Sequence, residues 1–156
     1  MPTVRKYKKG DEKAIWQIKH DTIRKVNIND YSEQQVQAWA PDIYDEERWT
    51  KRINEMNPFV AEIDGIIVGY ADIQSDGYVD HFFCHSEYQG QGVGKSLMQS
   101  ILDKAQAEGI NRLYSHVSIT AQPFFEHFEF IVIKKQKVEI RGQVLTNFVM
   151  ENNLLD

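Results

Sequence analysis

Apolar positions in this chain keep two rhythms, and the switch between them marks out the elements. The opening run Thr3–Tyr7 predicts a short strand, and Gly10-Asp11 then introduces a helix with Asp11 at its N-cap. Ala14, Ile15, Ile18, Ile23 and Val26 hold that helix's spacing. Ser32 starts a second helix, where Gln35 completes a capping box, Val36 and Trp39 lie one turn apart and Pro41 is the stop. A third helix runs from about Asp45 to Met56, with Trp49 and Ile53 four apart and Pro58 beyond it.

Strands follow. Phe59–Ile63 and Ile66–Ile73 flank Asp64-Gly65, a type I′ hairpin signal, and Asp76-Gly77 leads into a third strand, Tyr78–Cys84. These predict an antiparallel meander. A glycine-rich stretch then opens a helix from about Gly92 to Glu108, striped by Val93, Leu97, Ile101 and Ala105 and ended by Gly109. Arg112–Val117 reads as a strand and Pro123–His127 as a short helix; Phe130–Val138 and Val144–Met150 read as a closing hairpin around Arg141-Gly142. The order β-α-α-α-β-β-β-α-β-α-β-β predicts an α/β (α+β) fold with helices flanking a mixed, largely antiparallel central sheet.

Composition narrows the function classes. No repeat, low-complexity tract or linker divides the 156 residues, so one domain over residues 1–156 is expected, large enough to bury a core without staples. Eighteen Lys+Arg against 23 Asp+Glu leave a net charge of −5, which disfavours a nucleic-acid partner. The single cysteine, Cys84, can form neither an intrachain disulfide nor a Cys-based metal site, so no metal is expected and a reducing cytoplasm suits the chain. The basic start MPTVRKYKKG lacks the apolar stretch of a secretory signal, and no window approaches a membrane span. The expectation is a cytoplasmic protein without a membrane partner.

The segment Gln89-Gly90-Gln91-Gly92-Val93-Gly94-Lys95-Ser96 joins a strand to a helix. Its three glycines strip side chains from the backbone, so N–H groups approach an anion closely at the positive end of a helix dipole. A Walker A loop would need glycine where Gln89 stands. A dinucleotide fingerprint would need glycine at Lys95 or Leu97. The spacing that fits is Q/R-x-x-G-x-G. With the preceding Phe82–Tyr88, this segment resembles the acetyl-CoA motif of the GNAT superfamily of N-acetyltransferases. The resemblance extends over nearly the whole chain, and Tyr31–Pro41 further resembles a small bacterial, YafP-like branch.

The resemblance implies a sheet whose central strands splay, with pantetheine lying in the V. It places the backbone of Cys84 against pantetheine and gives Gln89, Gly90, Gln91, Gly92, Val93, Gly94 and Lys95 to the pyrophosphate, with Ser96 adding a hydroxyl. Cys84 as a nucleophile would need a base, and the adjacent His85 points to the other face of a strand, so packing is the preferred reading of its thiol. The family's usual general acid, a Tyr on the late short helix, is replaced by Phe125, and a glycine of the same motif by Glu129. Phe125 is left a packing role at the pantetheine end of the cofactor. Tyr31 and Trp39 are assigned to the acceptor pocket, Trp39 also reading as core.

An amine acceptor must lose a proton before it attacks a thioester. Three side chains are candidate bases: His116, on a strand where related enzymes carry a Glu, and Asp80 and His81, on the strand entering the V. A histidine titrates near neutral pH, which suits the role. The expected function is direct acetyl transfer from acetyl-CoA to a primary amine of a small molecule or peptide, by a monomer or homodimer. A non-catalytic acyl-CoA-binding or regulatory module is the alternative, supported by the missing tyrosine. A P-loop nucleotide binder is disfavoured by Gln89.

Overall fold

The structure is a computed structural model describing residues 1–155. β1 (Thr3–Lys6) is followed by α1 (Glu12–Lys25), α2 (Glu33–Trp39) and α3 (Glu46–Met56), then β2 (Phe59–Ile63), β3 (Ile66–Ala71), β4 (Tyr78–Val79) and β5 (Phe82–Cys84). After α4 (Val93–Glu108) come β6 (Arg112–Ser118), α5 (Gln122–His127), β7 (Ile131–Ile140) and β8 (Gln143–Asn153). The strands form two four-stranded sheets, in the orders β1-β2-β3-β5 and β4-β6-β8-β7. The β4–β6 pair is parallel and every other pair is antiparallel. The mixed, largely antiparallel arrangement expected from the element order is present.

One expected strand is in fact two. Tyr78–Cys84 divides at Asp80-His81: β4 pairs with β6, whereas β5 crosses to pair with β3. The break has a physical cause. Asp72, almost fully buried, accepts the backbone N–H groups of Asp80 and His81 through one carboxylate oxygen, each at 2.8 Å. Those donors are satisfied by a side chain instead of a neighbouring strand, so the ladder is released there. Past Val79↔Ser115 the two sheets diverge, which is the splay.

Local chemistry explains most boundaries. Ser32 and Gln35 close the capping box of α2, and Asp45 accepts the Arg48 N–H to cap α3. Asp11 does not cap α1 with its side chain. Its carboxylate takes the Lys8 N–H and a forked pair from Arg5 at 2.8 and 3.1 Å, a charge-assisted interaction stronger than one cap bond. Asp64-Gly65 and Arg141-Gly142 both form two-residue turns with positive φ at each position, the type I′ signature. The closing hairpin outruns its expected bounds because the β7–β8 pairing runs on from Ile131 to the turn at Ile140↔Gln143.

The main core lies between α4 and the two sheets, where Leu97, Met98, Ile101 and Ala105 pack with Val68, Leu113, Phe130 and Met150. A second cluster packs α1 and α3 on the opposite face through Ile15, Ile53, Trp49 and Tyr70. The divergence between β5 and β6 is thus clamped by core on both sides, and the hollows described next open from it.

Candidate active site

The first hollow is a cleft of about 630 Å³ between the end of β5, the start of α4 and α5. Beside the β3–β5 ladder, the Asp72 N–H donates to the His81 carbonyl and the His85 N–H to the Val68 carbonyl, and this alternation turns the intervening N–H and C=O groups of Phe82 and Cys84 to the open edge. The backbone of Cys84 therefore borders the cleft. Its carbonyl accepts the Thr22 hydroxyl at 2.8 Å and the Gln89 side-chain amide at 3.0 Å. Gln89 also donates to the His85 carbonyl, so its side chain braces the loop. Burial pushes the Cys84 thiol up to about 12, leaving no thiolate to act as a nucleophile.

The loop's glycines have separable reasons. Gly90 and Gly92 hold φ of +77° and +83°, left-handed backbone that favours glycine, with open space where a Cβ would stand. Gly92 is the N-cap of α4. A Cβ on Gly94 would lie 2.8 Å from the Phe124 ring, so this glycine lets the aromatic close over the helix start. Val93 and Lys95 border the cleft with the glycines, and the first N–H groups of α4 have no intrahelical partner. Gln91 and Ser96 are not among the lining residues.

The second hollow, about 330 Å³, lies on the other side of the splay. All three candidate bases border it, with Tyr31 and Trp39. The two hollows share Phe82, Phe83, Ser118, Ala121 and Phe125 as a common wall. Phe125 is 3% exposed and packs edge-to-face on Phe82 and Phe130. Glu129 sits at φ +69° just past α5, left-handed backbone of the kind that favours glycine.

The candidate bases differ in environment. His81 is buried, and its Nε2 faces the Arg52 guanidinium at 3.0 Å. Arginine only donates, so Nε2 accepts, and Nδ1–H donates to the Tyr70 hydroxyl at 2.9 Å. Burial, with Lys19 and Arg52 adding to it, holds His81 neutral with a strongly lowered pKa, yet both ring nitrogens are taken. Asp80 pairs with Arg52 at 3.3 Å. His116 is exposed, on the same face of β6 as Ser118, with its ring edge-to-face on Tyr78 at 5.5 Å. The Tyr31 hydroxyl donates to the Thr146 carbonyl at 2.6 Å and accepts the Ile119 N–H at 2.9 Å. Its ring packs edge-to-face with Trp39, which also leans on Phe83.

The sequence reading missed several lining residues. Thr22 and Asn27 reach the cleft from the α1 end, and Phe124 from α5. Lys19, Arg52 and Arg141 reach the second hollow. Burial, reinforced by Arg52 and Arg141 and opposed by Asp80, pulls the Lys19 ammonium down to about 8. None belongs to a compact motif; Lys19 alone carried a weak signal, a cation on the first helix close to its apolar stripe.

A model of the GNAT acetyltransferase domain matches residues 27–152. The chain belongs to the GNAT family of acetyltransferases. It is 35% identical over 147 residues to the uncharacterized N-acetyltransferase YafP of Escherichia coli K12, covering 94% of this chain and 93% of YafP. A GCN5-related N-acetyltransferase structure from Rhodopseudomonas palustris superposes with a TM-score of 0.93 at 28% identity, covering 99% of this chain and 96% of that one. The fold is shared with YncA of Salmonella typhimurium, a putative acetyltransferase solved with acetyl-CoA, at a TM-score of 0.70 and 19% identity, over 99% of this chain and 94% of YncA. Among the described residues, no helix is long and apolar enough to cross a membrane.

Proposed function

We propose that this GNAT protein transfers an acetyl group from acetyl-CoA directly to a primary amine of a small molecule or peptide within a ternary complex. The observation that carries the reading is the common wall. The glycine-loop cleft and the cavity of the candidate bases share a wall where β5 parts from β6, which favours an acyl donor in one beside an amine in the other. The left-handed glycines and the free N–H groups of α4 fit a pyrophosphate, and the exposed edge of β5 fits an extended pantetheine chain.

In this reading His116 is the general base, because it borders the acceptor cavity and is exposed. It takes the ammonium proton, directly or through water, and the neutral nitrogen attacks the thioester carbonyl. A C–N bond forms, the excess proton left on the nitrogen passes to water, and the C–S bond breaks; CoA leaves as thiolate. The outward-facing Phe82 N–H suits the tetrahedral oxyanion. Phe125 has no proton to give, so the departing thiolate is protonated by solvent.

Phe125 also favours a second reading, an acyl-CoA-binding module without turnover. Steady-state release of CoA thiol from acetyl-CoA with a panel of amines and peptides separates the two. Amine-dependent thiol release is expected; tight acetyl-CoA binding with no release from any amine would support the module instead.

A further inference from the structure

The acceptor cavity carries more positive charge than the chain neutralises. Lys19 from α1, Arg52 from α3 and Arg141 from the β7–β8 turn all border it, and Asp80 is its one lining carboxylate. Asp80 engages Arg52, and none of the ion pairs among the described residues involves Lys19 or Arg141. Three cations thus face one anion in a chain whose net charge is −5. Burial first, and then the two arginines, lowers the pKa of Lys19.

Arg141 gives an independent sign. It occupies the first central position of a type I′ turn at φ +44°, where glycine, asparagine or aspartate sit with least strain. The chain's other two-residue hairpin follows that preference with Asp64-Gly65. Arginine at residue 141 works against the turn, yet it reaches the cavity with one N–H donated to the Ala38 carbonyl at 2.8 Å and other donors left for a ligand. Local strain kept at a cavity wall points to a binding role.

We propose that Lys19, Arg52 and Arg141 form an anion cradle, and that the acceptor amine carries a carboxylate or phosphate group. This rests on the acetyl-transfer reading above. The acid meets the cradle while the aromatic faces of Tyr31, Trp39 and Phe83 take the apolar body. An amine without an acidic group brings its ammonium toward three cations, so the same residues select against it.

The test compares matched acceptors by thiol release: L-phenylalanine against L-phenylalaninamide, and phosphoethanolamine against ethanolamine. An acidic acceptor should lead its uncharged counterpart by at least about tenfold in kcat/KM, and the better pair tells carboxylate from phosphate. Arg141→Asn suits the left-handed turn and removes the cation, so it should fold normally and lower that preference by about tenfold. Equal or better use of the uncharged counterparts overturns the proposal, as does a preference that survives in Arg141→Asn. If none of these amines releases thiol, the transfer reading loses its support and the cradle is judged separately. Excess malonate should then slow labelling of Lys19 by acetic anhydride, read by peptide mass spectrometry, in the native chain more than in Arg141→Asn. Labelling that malonate leaves unchanged overturns the cradle.

Discussion

The two hollows meet at one wall and are built on opposite principles. The cleft beside α4 is built around one contiguous run, Phe82 to Lys95, with α5 and the end of α1 closing it. The cavity beyond it is made by side chains from α1, α2, α3, β4, β6 and both strands of the closing hairpin with their turn. A site of backbone N–H groups depends on the path of the chain and not on residue identity, except where glycine makes that path accessible. A site of converging side chains changes with any one of them.

The largest expected effect breaks both regions at once. Asp72 holds the bend where β4 and β5 part, so Asp72→Ala leaves the His81 and Asp80 N–H groups without their partner. It should cost about 3 kcal/mol in chemical denaturation. Asp72→Asn keeps one accepting oxygen and should be mild. Burial pushes the Asp72 carboxyl from 3.8 up to about 6. The folded state therefore binds a proton that the unfolded chain has released, and this contribution is full below about pH 4 and lost as pH rises through about 6. Stability of the native chain relative to Asp72→Asn should fall across that window; a flat difference would contradict the assignment.

Substitution in the acceptor cavity should spare the donor side. His116→Ala should lower kcat/KM by roughly 10²-fold, the usual scale of a lost general base, with the melting temperature unchanged. A lowered melting temperature with kcat/KM near native would make His116 structural and move the proton to Asp80. Next in size is the loop, where Gly92→Val should weaken acetyl-CoA binding by at least about tenfold, or about 1.4 kcal/mol. Smallest is Glu129→Gly, which relieves left-handed backbone at the end of α5 and should stabilise the fold by about 1 kcal/mol in denaturant titration.

The same contrast explains what was legible in the sequence. The glycine-loop cleft left a signal in the sequence because its glycines, its helix and the strand before them are contiguous, and backbone chemistry leaves a spacing signature. The capping box at Ser32 and Gln35 and the turn at Asp64-Gly65 were legible for the same reason. The division of Tyr78–Cys84 was not, because it is imposed by Asp72, a residue outside the strand that the fold buries against it. Asp11 stands at the expected N-cap position of α1, but its side chain makes no cap bond because Arg5, six residues earlier, takes its carboxylate. Lys19, Arg52 and Arg141 lie far apart in the chain and converge only in three dimensions.

The central claim is that donor binding and proton removal belong to separate regions that meet at the splay. Calorimetric titration of acetyl-CoA into the native protein, Gly92→Val and His116→Ala tests it directly, with circular dichroism verifying each fold. The account predicts a dissociation constant at least about tenfold weaker for Gly92→Val and one within about twofold of native for His116→Ala. A folded Gly92→Val that binds acetyl-CoA as tightly as the native protein would contradict it.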